Sequence, residues 1–186
     1  MADQQRRSFL KWCVHGMGVL VGAIIGIPAI AYLIDARNRP ARVSGMRKVE
    51  GIKISELATG VPKQGVIRNV RQDGWTYHPN DVIGRVWVVK HGKGERDLHV
   101  FTTICPHLGC SINTGDQGFA CPCHGATFRL DGERVDPHHN PAQRGMDTLE
   151  FEVAHDPTNP DPNNKDALLV EYVNYYQSRA EKVPRT

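Results

Sequence analysis

A chain of 186 residues with 23 basic and 20 acidic side chains, for a net charge of +3, has room for one domain of ordinary size and something more. The small positive balance is scattered and lacks interleaved aromatics, so nothing in it supports nucleic acid binding. There are five cysteines, and Cys105, Cys110, Cys121 and Cys123 crowd into two short boxes, as expected of one shared site and not of a scattered disulfide framework.

Residues 14–34, "VHGMGVLVGAIIGIPAIAYLI", contain no Asp, Glu, Lys or Arg. At about 1.5 Å rise per residue they span about 30 Å of hydrocarbon, which predicts one transmembrane helix. Gly18, Gly22 and Gly26 recur at the four-residue spacing that lets a second helix approach. Pro28 is tolerated where neighbouring helices satisfy the freed carbonyl. Residues 1–13 form the cytoplasmic N-terminus, with Trp12 as an interfacial anchor and Cys13 as a small apolar residue at the membrane edge. They contain Arg6, Arg7, Phe9, Leu10 and Lys11, which resemble the twin-arginine export signal for proteins that cross already folded. Flanking charge points the other way, because Arg37, Arg39, Arg42, Arg47 and Lys48 outnumber the basic residues in front. The export signal takes precedence, since a receptor reads it and long domains cross regardless of flanking charge. Ala29 and Ala31 make a loose cleavage pattern. The apolar run nevertheless exceeds the roughly 7–15 residues of a cleaved signal, so a retained anchor is expected, with the following domain on the periplasmic side of a bacterial cytoplasmic membrane.

Residues 35–50, "DARNRPARVSGMRKVE", are polar and aperiodic and read as a hinge or tether. From residue 51 the pattern changes to short strands. Residues 85–91, "RVWVVKH", and 98–104, "LHVFTTI", flank the turn-forming "GKGERD" and predict a hairpin that delivers the chain into the first box. "TFRLDGERV", 127–135, carries an Asp-Gly hairpin signal. "TLEFEV", 148–153, alternates apolar and polar residues as a half-buried strand does. After a polar loop with Pro157, Pro160 and Pro162, "LLVEYVNYY" at 168–176 closes a domain of 51–176, followed by a tail of 177–186. Trp75 and Trp87 read as packing residues, and His78, His91, His99 and His155 as strand or surface residues. The expected fold is mainly antiparallel β behind one transmembrane helix.

The boxes "CPHLGC" (105–110) and "CPCHGATF" (121–128) offer four thiols and two imidazoles, more than one tetrahedral metal uses. A structural zinc site would take four of them, from the cysteines alone or mixed with His107 and His124. Two ligands are then left over. In an exported domain surplus cysteines oxidise, so four residues binding metal and two forming a disulfide is one solution.

C-x-H-x-G-C followed by C-P-C-H-G, matched at Cys105, His107, Gly109, Cys110, Cys121, Pro122, Cys123, His124 and Gly125, resembles the motif pair of the Rieske iron-sulfur proteins. By that resemblance Cys105 and Cys121 bind one iron of a [2Fe-2S] cluster, His107 and His124 bind the other, and Cys110 and Cys123 form the disulfide between the loops. The cluster-binding part is expected at about 101–145, with "NPAQRGMDTLEFEV" similar to the proline loop and strand that cover the cluster. Ring-hydroxylating oxygenases and their ferredoxins lack the extra cysteine pair. The resemblance is therefore to the respiratory type, the Rieske subunit of a bacterial quinol:cytochrome c oxidoreductase. It implies a cytochrome b subunit and a c-type cytochrome as partners in a dimeric complex, quinol as substrate, and a mobile head that is not catalytic alone. His124 is then the quinol contact and Leu108 part of the apolar tip docking beside the quinol site, whereas His138 and His139 belong to a solvated loop.

Ala126 and Phe128 stand where many family members have the serine and tyrosine of C-P-C-H-G-S-x-Y. The hydroxyls they replace would favour the reduced cluster, so their loss predicts a lowered potential matched to menaquinol. "QDGWTYHPNDVIGRVWVVK" also resembles menaquinol-oxidising bacterial relatives. The loop at Pro141 to Gln143 lacks the second proline of the usual P-A-P, which predicts a looser cover. The alternative reading is the Rieske subunit of an arsenite oxidase-like molybdenum enzyme.

Overall fold

The computed structural model describes residues 2–38, 45–73, 76–92, 94, 97–116, 118–156, 158, 161 and 165–185. The chain divides into two compact units, Met1–Ala41 and Arg42–Thr186.

The first unit is one helix, α1, Ala2–Asn38, continuous through Pro28. Its stretch Gln4–Ile34 is long and apolar enough to cross a membrane, and none of it is buried against protein. Leu20, Ile24, Ile27 and Leu33 stand exposed, which in water would be costly and in hydrocarbon is favourable. The predicted transmembrane helix of 14–34 thus lies inside a longer helix.

Among the described residues of the second unit the regular elements are strands and one short 3-10 turn at Ile54–Glu56. Its strands are β1 (Met46–Glu50), β2 (Lys63–Asp73), β3 (Thr76–Lys90), β4 (Leu98–Thr102), β5 (Asn113–Gly115), β6 (Gly118–Ala120), β7 (Thr127–Phe128), β8 (Phe151–Ala154) and β9 (Ala167–Glu171). The larger sheet runs β4-β3-β2-β1-β9-β8 and the smaller β5-β6-β7. All strand pairings in both are antiparallel.

Most of the expected hairpins are present. β3 and β4 pair from Val86↔Thr102 to Lys90↔Leu98, closed by His91 N–H donating to the Asp97 carbonyl at 2.8 Å. At the Asp131-Gly132 turn, Gly132 has φ +84° and donates to the Arg129 carbonyl at 2.9 Å. A side chain at Gly132 would also fall 2.4 Å from Phe101 Cε1, so glycine serves both the turn and the packing there. The 148–153 stretch is shared between neighbours: Thr148 bridges Phe101, whereas β8 pairs with β9 from Phe151↔Val170.

The expected tether at 35–50 gives way at both ends. Helix continues to Asn38, and Met46–Glu50 is a central strand paired with β2 on one side and β9 on the other. The sheet's backbone pairing outweighs the strand's three charged side chains, and Val49 alone of its residues is fully buried. Residues 39–44 of that stretch, Trp75, and parts of the polar loop after residue 156 lie outside the described residues. β9 ends at Glu171, and 172–176 continues as irregular chain.

Two buried clusters organise the unit. One fills the larger sheet, from Val49 and Ile67 to Leu168 and Tyr172, with the Tyr172 ring lying where a side chain at Gly84 would sit. The other gathers Trp87, Val89, Phe101, Ile112, Phe119 and Phe128 around Cys105 and Cys121. Trp87 joins the sheet to the smaller subdomain, its indole N–H donating to the Ile112 carbonyl at 3.0 Å.

Candidate metal centre

β4 and β6 each deliver the chain into one of the two boxes, and the boxes fold by the same rule. In the first loop Cys105 N–H donates to the Cys110 carbonyl (2.8 Å) and Gly109 N–H to the Cys105 carbonyl (2.9 Å). In the second, Cys121 N–H donates to the Ala126 carbonyl (2.8 Å) and Gly125 N–H to the Cys121 carbonyl (3.1 Å). Each closure needs a left-handed residue four places after the cysteine, supplied by Gly109 (φ +84°) and Gly125 (φ +72°).

This geometry sorts the ligands. Cys110 and Cys123 form a disulfide between the loops, with Cα atoms 6.6 Å apart. Cys105 and Cys121 remain free thiols, 0% and 2% exposed. The sulfurs of Cys110, Cys121 and Cys123 lie within 4.8 Å of one another, so Cys121 sits against the disulfide. The rings of His107 and His124 meet edge to face, with centroids 4.9 Å apart and planes at 85°.

Burial pushes the Cys105 thiol up to about 11, and neighbouring Cys121 adds to the rise. The backbone N–H groups of His107 and Leu108 pull the other way by hydrogen bonding to the Cys105 sulfur. Metal binding at such a thiol displaces the proton, which leaves to solvent. Nδ1 of His107 is buried and makes no hydrogen bond, an arrangement costly in a core and natural for a metal-facing nitrogen. Two sheltered thiols and two facing imidazoles fit the donor set of a mixed-ligand [2Fe-2S] cluster.

The remaining sequence candidates fall around this centre. His124 and Leu108 are exposed, Leu108 at 57%. Ala126 and Phe128 are buried at 0% and 1% and belong to the apolar cluster around the free thiols. Phe128 faces the β6 residue Phe119 across the small sheet. His138 and His139 are exposed, and His139 Nδ1 lies 2.7 Å from Asp136 Oδ2.

The loop with one proline is held by side chains. Asn140 donates to the carbonyls of Thr127 (2.6 Å) and Val135 (3.2 Å), and its Oδ1 accepts from Ala142 N–H at 3.0 Å. Arg134 donates to the Ala142 carbonyl at 3.0 Å, and Ala142 is 1% exposed. Sequence reasoning missed Asn140 and Arg134, and also Arg144, Asp147 and Ser178. Asn140 alone had a local cue, as an Asx residue beside the turn-forming Pro141.

Residues 63–150 match the Rieske [2Fe-2S] domain family. The menaquinol:cytochrome c reductase iron-sulfur subunit of Geobacillus thermodenitrificans is 30% identical over 153 residues, covering 80% of this chain and 85% of that protein. The subunit of the same name from Bacillus subtilis (strain 168) is 27% identical, covering 72% of this chain and 78% of its own. The cytochrome b6-f complex iron-sulfur subunit of Chlorobaculum tepidum is 35% identical over 136 residues, covering 72% of this chain and 64% of its own. With the paired loops, the inter-loop disulfide and the anchor-like helix in view, the chain belongs to the Rieske iron-sulfur subunits of bc-type complexes, proteins that carry one [2Fe-2S] cluster.

Proposed function

We propose that this chain is the electron-transfer subunit of a bacterial menaquinol:cytochrome c oxidoreductase. Its α1 helix is the single membrane anchor, with the N-terminus cytoplasmic and the β unit on the outer side. Cys105 and Cys121 hold one iron and His107 and His124 the other. The observation that carries the reading is the sorting of six soft ligands into one disulfide, two sheltered free thiols and two facing imidazoles.

When bound, a [2Fe-2S] centre with two neutral imidazoles accepts one electron at a higher potential than an all-thiolate centre, roughly −150 to +300 mV against about −400 mV. The chain's residues do the rest. His124 lies exposed at the tip, so a quinol hydroxyl can reach its ring and hand over a proton as the electron leaves the quinol. Leu108 and Pro122, exposed on the two loops, give the tip an apolar skin for docking against cytochrome b beside the quinol pocket. Burial of Cys105, Cys121, Ala126 and Phe128 keeps water from the other side of the centre. A c-type cytochrome haem would be the electron's next acceptor, reached after head movement. Turnover belongs to the dimeric complex, since the quinol pocket requires cytochrome b.

Ala126 and Phe128 support menaquinol in particular. Neither side chain can donate a hydrogen bond to the centre, which leaves the reduced form less stabilised. Purification of the intact complex with a redox titration tests the proposal. A midpoint potential well below +300 mV with b- and c-type haem present is expected. A value near +300 mV refutes the menaquinol match. Co-purification with a molybdopterin subunit would favour the arsenite oxidase-like alternative, and zinc in place of iron would refute both.

A further inference from the structure

The carbonyls of Pro106 and His107 point out of the first loop, and both are taken by one residue of the C-terminal tail. Ser178 N–H donates to the Pro106 carbonyl at 3.0 Å, and Ser178 Oγ donates to the His107 carbonyl at 2.7 Å. These two carbonyls belong to the peptide planes on either side of the His107 Cα. Fixing both planes fixes φ and ψ of His107, and with them the direction of its Cβ and ring.

Ser178 makes both bonds at φ +56°, and it is one of only two non-glycine residues with positive φ among the described residues. Such a conformation persists only where its surroundings impose it. Arg144 supplies much of that constraint. Its guanidinium pairs with both carboxylate oxygens of Asp147 (2.8 and 2.9 Å) and donates to the carbonyls of Tyr176 (3.0 Å) and Arg179 (2.6 Å), on either side of Ser178. Both side chains of this pair are sheltered, 9% and 5% exposed. Lys182 adds a second tie, donating to the Thr148 carbonyl at 2.6 Å. The tail therefore folds back as a strap: Tyr176 N–H donates to the Val183 carbonyl, and Tyr175 bridges Pro184.

We propose that Ser178 is a positioning residue for His107, and that Arg144 holds Ser178 in place to do it. The inference rests on reading His107 as a cluster ligand. It assigns the last residues of the chain, seventy-one positions from the histidine, a share in defining the metal site. The strap bonds the first loop at residues 106 and 107, and a side chain added at Gly109 would meet Gln177.

The test uses the full chain in its membrane complex, with Ser178→Ala, Ser178→Gly and Arg144→Gln. Ser178→Ala removes the hydroxyl and keeps the strained φ. Ser178→Gly removes the hydroxyl and relieves the strain, so it should lower the thermal midpoint of the β unit less than Ser178→Ala does. Both should nevertheless broaden the reduced-state paramagnetic resonance lines. Both should also shorten the half-life of the visible cluster absorbance under chelator about five-fold, the factor one lost hydrogen bond is worth. Arg144→Gln should do the same, while Arg179→Ala, which removes an exposed side chain and keeps its carbonyl, should not. Unchanged line shape and half-life in both Ser178 variants overturn the inference. His107→Ala separates the two levels: if it keeps the Rieske signal, the ligand reading itself has failed. If it loses the signal and the Ser178 variants stay normal, only the strap has.

Discussion

The rings of His107 and His124 stand 4.9 Å apart and nearly perpendicular, yet one is sheltered with an unpartnered Nδ1 and the other is open to solvent. Under the proposed function that asymmetry divides their labour: half-buried His107 turns a sheltered nitrogen inward, and His124 is the imidazole a substrate would meet. His124→Ala should abolish quinol oxidation and the mixed-ligand resonance signal while α1 stays inserted. Unchanged turnover would sink the assignment of His124.

Ala126 and Phe128 sit in the buried apolar cluster with the free thiols, so under the proposed function an added hydroxyl would have the ligand thiolates among its acceptors. Ala126→Ser and Phe128→Tyr should each raise the midpoint potential. A gain of about 1–2 kcal/mol per bond corresponds to roughly 45–90 mV for one electron. Protein-film voltammetry reads this directly, and a flat or falling potential in both variants would remove the explanation offered for the quinol.

The disulfide joins the two loops, with the free thiol of Cys121 beside it. The Cys110→Ser, Cys123→Ser double variant should lose about 2–4 kcal/mol of local stability and bleach faster on warming, with the larger sheet melting at its usual temperature. Far-ultraviolet circular dichroism and visible absorbance, followed together, would show whether the two losses separate.

Lys48 on β1 pairs with Asp156 at 2.8 Å, and Thr158 donates to the same carboxylate. The Lys48 hydrogen bond first, then those from Thr158, hold the Asp156 carboxyl below its usual range. A depressed carboxyl contributes stability that is complete above its unfolded value of about 3.9 and fades as pH falls below it. Asp156→Asn should therefore lower stability at neutral pH and flatten the acid limb below about pH 4. An acid limb identical to the parent's would show that other carboxylates govern it.

The ligand boxes were legible because every member lies within a few residues of another, and two glycines in register announce the turns that aim them. The β3–β4 hairpin and the Asp-Gly turn were legible for the same local reason. β2 carries charges beside Val66, Ile67 and Val70, and β1 is denser in charge still, so neither shows an apolar alternation. β2 is a strand because it folds back on the adjacent β3, and β1 because it fills the place between β2 and β9, the latter at the far end of the chain. β5 and β6 are three residues each, too short for any period. The hold of Ser178 on His107 was invisible for the plainest reason: a serine in a polar tail carries no mark of the carbonyls it will meet.

The two buried clusters divide the risks of being a metalloprotein. Every cysteine of the β unit that is buried belongs to the smaller one, and the larger, from Val49 to Tyr172, contains none. Oxidation, chelation or failed loading would strike the small cluster first, and the larger sheet shares in that cluster only at one edge, through Trp87, Val89 and Phe101. Damage to the cofactor is thereby kept local, and a subunit that has lost its cluster still has a framework on which a new one can be assembled.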